Sequence, residues 1–220
     1  MASYNLSLPE DRLKVVEFAF AYPMAPHRRK HGPAGYLEYE SYREWLRDEF
    51  SYRCVFSLIR ETWIGRAASF DIDHLLPQST DMTLVCDYDN LLYLHHHINL
   101  VKGKLRLQDP GKIALGKCLK VVTSGENIGE IKALNKPGQD IIQILRLDAP
   151  AKVLDRRKWL NILRAAAVAD EALFRELMGF PVDLPNLAVP QRKKRNTRPE
   201  GIAQSAFYIR EFTKCLPEWY

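Results

Sequence analysis

One stretch of the chain, FDIDHLLPQSTDMTLVCDYDNLLYLHHHINLVKGK (residues 70–104), gathers side chains suited to phosphodiester hydrolysis. Asp73 and His74 close a stretch from Ala68 that alternates like a strand. Alternation puts Asp71 and Asp73 on one face and Ile72 and His74 on the other. A carboxylate holds a hard divalent cation, and an imidazole exchanges protons near neutral pH. His97 and Asn99 follow near the start of a helical pattern, with Lys102 and Lys104 within two turns. The segment thus carries a metal ligand, a base and cations. Those supply an activated water, neutralisation of the phosphate and leaving oxygen, and a hold on the strand.

The elements that must position these groups are short. Residues 53–56, 68–73 and 91–94 read as strands, and HHHINLVKGKL from His95 reads as a helix ending near Gly103. Upstream, residues 9–21 read as a helix with an acidic first turn. Pro23, Pro26, Gly32, Pro33 and Gly35 interrupt regular structure to about residue 35. A second helix is expected over residues 36–50, with Tyr39, Tyr42, Leu46 and Phe50 as a core stripe. Downstream, residues 118–134 read as a hairpin around Ser-Gly-Glu-Asn. Helices are expected over 139–147 and 151–178, the second with Leu154, Leu160, Leu163, Ala167 and Leu173 as its core face. The last forty residues hold five prolines and Arg192-Lys193-Lys194-Arg195, and read as an extended tail whose FYIREF segment can dock back. No internal repeat is legible.

The order Asp73-His74, Pro77, Asn90-Leu91, Asn99 and Lys102 resembles the ββα-metal motif of HNH nucleases, the His-Me fingers. Asp71-Ile72-Asp73-His74-Leu75-Leu76-Pro77-Gln78-Ser79 is most similar to the HNH domain of the RNA-guided CRISPR effector nucleases. The likeness spans about residues 52–105. It implies His74 as the general base, Asp73 and Asn99 as ligands of one Mg²⁺ or Mn²⁺, and His97 as a reserve ligand. It implies that Asn90 orients His74 by a hydrogen bond across the hairpin. It also implies that Lys102 and Lys104 contact phosphates, and that products carry 5′-phosphate and 3′-hydroxyl ends. The expected substrate is DNA, with RNA left open. An HNH site cuts one strand at a time, so double-strand cutting calls for a homodimer or two visits.

Two departures from the family pattern stand out. Relatives often brace the fold with a zinc held by two CxxC pairs; the matching positions here are Cys54 with Ser57 and His95 with Ile98, so no structural zinc is expected. The third signature residue is Asn99 rather than His, an HNN variant whose amide oxygen suits Mg²⁺. Consecutive helical residues cannot all face one ion, so at most two of His95, His96 and His97 are ligands. Asp71 stays open between a solvated strand residue and a participant. His27 and His31 read as surface.

On this basis the chain is expected to be α+β, with a ββα-metal core flanked by N-terminal helices and a C-terminal hairpin and long helix. The expected regions are 1–51 (N-terminal helices), 52–110 (nuclease core), 111–180 (hairpin and helices) and 181–220 (Pro-rich basic tail). The hairpin-helix region is similar to the stretch after the motif in stand-alone bacterial HNH proteins. Some of those act beside an ATPase in Septu-type anti-phage defence, which implies a protein partner and a defence role here. The alternative from another class is a catalytically silent nucleic-acid-binding or assembly subunit, against which the intact Asp73, His74, Asn90 and Asn99 weigh.

Composition sets outer bounds. Lys and Arg number 32 against 27 acids in 220 residues, a net +5. The cations gather at His27-Arg28-Arg29-Lys30-His31, at Lys102 and Lys104, and at residues 192–195, as phosphate contacts would. Arg28 and Arg29 are counted with the lysines as nucleic-acid-binding, while residues 192–195 alone read as a solvated, flexible run. No run of about eighteen apolar residues indicates a membrane span, and the acidic N-terminus does not suit an export signal. The expected location is cytoplasmic, where Cys54, Cys86, Cys118 and Cys215 stay reduced.

Overall fold

The computed structural model describes residues 4–214, which leaves Cys215 outside the described residues. In chain order the elements are α1 (Pro9–Ala19), α2 (Arg43–Glu49), β1 (Phe70–His74), β2 (Leu91–His95), α3 (His96–Lys102), β3 (Leu119–Val121), β4 (Ile131–Ala133), α4 (Lys136–Leu145), α5 (Pro150–Ala169), α6 (Glu171–Met178), α7 (Ala188–Gln191) and α8 (Ala206–Tyr208). The fold is α+β: helices dominate, and among the described residues the strands form two separate antiparallel pairs, β1–β2 and β3–β4. No helix among the described residues is long and apolar enough to cross a membrane. The chain divides into two compact units, residues 4–27 with 108–179 and residues 28–107 with 180–214.

In the first unit α5 is the central element, with Leu160, Leu163 and Ala167 buried along it. Helix α1 begins with Pro9 and the acids Glu10 and Asp11 in its first turn, a favourable start for a helix. It packs on α5, where its buried Arg12 donates from Nε to the Ala167 carbonyl (2.6 Å) and from Nη1 to that of Leu6 (2.6 Å). The single helix expected over 151–178 is two. Asp170 takes an extended conformation and its carboxylate accepts from Leu173 N (2.9 Å), capping α6. The expected core stripe is shorter too, because Leu154 and Leu173 are exposed. The hairpin pairs Leu119 with Ala133 and Val121 with Ile131. Asn135 caps α4, and Gly138 lets that helix lie close to the hairpin, since a Cβ there would sit 2.0 Å from the Cys118 carbonyl.

In the second unit the β1–β2 pair and α2 share a core of Trp45, Leu46, Phe56, Phe70, Leu91 and Tyr93, with Phe70 and Tyr93 stacked at 4.8 Å. The helix expected over 36–50 is shorter, with a 3₁₀ turn over Tyr39–Tyr42 before α2. Its predicted stripe is buried at Tyr42, Leu46 and Phe50, whereas Tyr39 is half-buried. Residues 53–56 are not a strand. They belong to a tight turn in which Cys54 N donates to Ile59 O (2.9 Å), leaving one isolated bridge, Arg53 to Arg60.

Helix α2 also buries charge. Arg47 pairs with Glu61, which accepts from Tyr93 OH on β2 (2.8 Å). Asp48 accepts from Lys30 Nζ (3.0 Å), Tyr52 OH (3.0 Å) and Ala206 N (2.7 Å), and meets His31 Nε2 at 2.7 Å. Burial pushes the Asp48 carboxyl up, but Lys30, His31 and the Ala206 N–H together hold it well below the ordinary range. His31 is therefore wholly buried rather than a surface residue.

Residues 181–214 are not an extended tail; the rest of that expectation, residues 215–220, lies outside the described residues. Pro33 bridges Asn196, Thr197 N donates to Gly32 O (2.8 Å), and α8 starts at the Asp48 carboxylate. Buried backbone groups and acids of residues 30–49 require partners, and the C-terminal segment supplies several of them.

Candidate functional site

Strand β1 meets β2 in the register Asp71↔Leu94, Asp73↔Leu92 and His74↔Leu91, and α3 follows β2 without a loop. Phe70 and Ile72 face the core, so β1 cannot slip by one residue without burying Asp71 and exposing Phe70. Gly103 ends α3 at φ +53°, a conformation that disfavours other residues.

His74 is nearly buried at the end of β1. Its Nε2 lies 3.0 Å from the Val85 carbonyl, and the edge of Tyr39 packs on its ring at 4.8 Å. A carbonyl only accepts, so Nε2 carries the hydrogen and the neutral ring presents a bare Nδ1. Gln78 Nε2 is 3.4 Å from that nitrogen, a long contact that a water can replace. The ring is thus held in the tautomer a general base needs.

Asn90 does not touch His74. Its Oδ1 accepts from Leu76 N (2.8 Å), and its Nδ2 donates to Leu76 O (3.2 Å) and Leu84 O (3.1 Å). It closes the loop between the strands, and Val85 in that loop holds the imidazole. The expected direct bond is replaced by one acting through the backbone.

Asp73 is buried on the opposite face of β1. Lys102 Nζ lies 3.0 Å from its Oδ1 and 2.9 Å from its Oδ2, but only the first contact has hydrogen-bond geometry, which leaves Oδ2 buried without a hydrogen bond. Burial raises the Asp73 carboxyl above its ordinary range, with Lys102 opposing. The Lys102 side chain is 1% exposed, so it contacts no phosphate where it stands. Asn99 is not in contact with Asp73. Its Nδ2 donates to Asp71 Oδ2 (2.9 Å), which also meets His96 Nδ1 at 2.8 Å. His97 is exposed, and among the described residues its ring meets those of His95 (5.6 Å) and His96 (6.2 Å).

His96 is the helix histidine that reaches a carboxylate. Its three-residue spacing from Asn99 puts both on one face of α3, a signal present in the sequence. Lys104 and Arg28 are exposed. Arg29 is not: it stacks over Phe50 (4.9 Å) and Tyr88 (5.3 Å) and donates to Leu91 O (2.5 Å), fixing the start of β2. Of the four positions set against a zinc site in the sequence, Cys54 is buried with its Sγ accepting from Ser57 N (3.4 Å), Ile98 is buried, and His95 packs on Phe70.

A hard cation of the Mg²⁺ type takes one or two carboxylates and keeps several waters. Asp71 and Asp73 on one face of β1 fit that demand, and the Asp73 Oδ2 lone pair is unused. The Asn99 amide, turned over, presents oxygen to the same face. Among the described residues no group of three or more His, Cys, Asp or Glu side chains is arranged to hold a metal ion, so any ion here would rest on one or two carboxylates, the Asn99 amide and water. The fit has one condition: the Lys102 ammonium must move off Asp73 before a second cation can share that carboxylate. No protein-family model, curated protein or solved structure matches the chain, so a functional reading stands on these residues and their geometry.

Proposed function

We propose that the β1–β2–α3 segment is the active site of a metal-dependent endonuclease that hydrolyses nucleic-acid phosphodiester bonds, DNA first among them. The observation that carries this reading is the orientation of His74. Its Nε2–H is fixed on the Val85 carbonyl, and its bare Nδ1 stands at the end of the strand that bears Asp73. Nδ1 takes the proton of the attacking water, and the Val85 carbonyl stabilises the imidazolium that results. Tyr39 and the loop held by Asn90 stop the ring from turning. Asp73, together with Asp71 or Asn99, would hold the ion once Lys102 has moved off it. When bound, that Mg²⁺ or Mn²⁺ neutralises charge developing on the phosphoryl and leaving oxygens. The exposed Lys104 and Arg28 contact the strand.

The test is plasmid cleavage by the wild type and by His74→Ala with Mg²⁺, Mn²⁺ or EDTA. Metal-dependent nicking by the wild type alone supports the reading. Cleavage by both proteins, or cleavage in EDTA, removes His74 or the metal from it.

A second reading, a silent subunit that keeps the fold as a scaffold, is favoured by one observation: an internal ammonium already neutralises Asp73. A melting temperature that Mn²⁺ leaves unmoved in both wild type and Asp73→Ala supports the scaffold.

A further inference from the structure

Arg192, Lys193, Lys194 and Arg195 are all exposed, and none has a carboxylate partner among the described residues. Yet the run is not a free tail. Ala34 N donates to Arg195 O (2.8 Å), and the neighbouring Asn196 bridges Pro33. Asn196 Oδ1 accepts from Gly32 N (3.2 Å), and its Nδ2 donates to Gln191 Oε1 (3.1 Å). Lys194 Nζ donates to Gly35 O (2.9 Å) and stands over the Tyr36 ring at 5.4 Å. The backbone of the run is therefore fixed, Lys194 is tied to Gly35 and Tyr36, and all four side chains remain exposed.

The segment that fixes it leads to His74. Tyr36 packs edge-on against Tyr42 (4.8 Å), whose hydroxyl donates to Cys86 O (2.9 Å), one residue beyond the Val85 carbonyl that holds the base. Tyr39, between those tyrosines, packs on the His74 ring itself. Three residues of chain span at most about 11 Å, so the backbone of Tyr36, the ring Lys194 stands over, lies no farther than that from the backbone of Tyr39, which packs on the base.

From this arrangement we infer that residues 192–195 form a phosphate-contact surface that holds a nucleic-acid strand beside the His74 site. Four exposed cations with no carboxylate partner among the described residues, on an ordered backbone, match a polyanion of closely spaced charges, and binding there does not require ordering a loose tail. The identity of the polyanion rests on the nuclease reading; the surface itself rests on the pinned run.

The test uses the full chain carrying His74→Ala, in EDTA, so that nothing is cut. Fluorescence anisotropy with a duplex of about 30 base pairs, from about 50 to 200 mM salt, gives the slope of log affinity against log salt. Arg192→Gln/Lys193→Gln removes two charges and leaves the Lys194 and Arg195 contacts in place. Each lost phosphate contact makes the slope shallower by about 0.9, so this variant should lose about 2 and Lys193→Gln alone about 1. Thermal midpoints equal to the parent's show that the fold is kept; if the double variant melts early, the single variant decides. An unchanged slope, or a parent protein that does not bind duplex at low salt, overturns the inference. So does tighter binding to polyglutamate or to phosphatidylserine vesicles that is lost in the same variants. A protein that cuts plasmid with the slope unmoved loses this surface and keeps the nuclease reading. A shallower slope in a protein that never cuts does the reverse.

Discussion

The Lys102 ammonium sits within 3.0 Å of both carboxylate oxygens of Asp73, and both side chains are buried. One residue of α3 thereby neutralises the carboxylate that the proposed metal requires. A buried ion pair stabilises little in net terms, because desolvating two charges offsets their attraction, but removing one partner is costly. Metal binding and this pair therefore compete for one carboxylate.

The first prediction follows from that competition. Lys102→Met should bind Mn²⁺ more tightly than the wild type in titration calorimetry, and should be less stable without metal. Its apo stability should also fall more steeply with pH. Burial already raises the Asp73 carboxyl, and without Lys102 it rises further, so the folded state holds a proton that the unfolded state releases. The loss grows as pH climbs above the ordinary carboxylate range near 4. Equal Mn²⁺ affinity in the two proteins would show that Lys102 does not obstruct the site.

His74 and Asn90 should separate in kinetics. His74→Ala should lower the cleavage rate by about two to four orders of magnitude with DNA affinity unchanged, the usual scale for a lost base. Asn90→Ala should lower both rate and melting temperature, because it releases three bonds that hold the loop carrying Val85, each contributing about 1 kcal/mol. A melting temperature that Asn90→Ala leaves unchanged counts against a bracing role.

Asp48 governs acid stability. Its carboxyl is held below the ordinary range, so its contribution is full above the unfolded value near 4 and is lost as pH falls below it. Asp48→Asn should destabilise by about 3–5 kcal/mol at neutral pH and flatten the acid limb of a stability–pH curve. Parallel acid limbs in the two proteins would move the acid sensitivity elsewhere.

The C-terminal segment should behave as folded structure. The amide of Thr197, bonded to Gly32 O, and that of Ala206, bonded to Asp48, should exchange slowly with solvent. The exposed pair Arg198–Asp89 should matter little, with Arg198→Ala costing under about 1 kcal/mol. Free exchange at Thr197 and Ala206 would restore the unstructured tail and remove the surface at residues 192–195 with it.

The chemistry of the site was legible because it is local. Asp73, His74, Asn90 and Asn99 lie within thirty residues, and strand alternation together with helical spacing fixes which of them share a face. The ligand expected from the run of three histidines is His97, whereas the structure brings His96 and Asn99 together on Asp71. The helix break at Asp170 was missed, although an Asp before Glu-Ala-Leu is a capping signal.

What residue types and spacing determined by themselves is the α+β class, the order of elements around residues 70–104, and the gathering of carboxylates, imidazoles and amides within that segment. Tertiary structure alone decided how those groups pair: Asp73 with Lys102, Asn99 with Asp71, and His74 with a backbone carbonyl rather than with Asn90. It alone turned Arg29 and His31 inward and laid the basic run along residues 33–36. The reason is that local pattern reports a side chain's direction relative to its own element. Its partner is set by which buried polar groups, often a hundred residues apart, must satisfy one another once water is excluded.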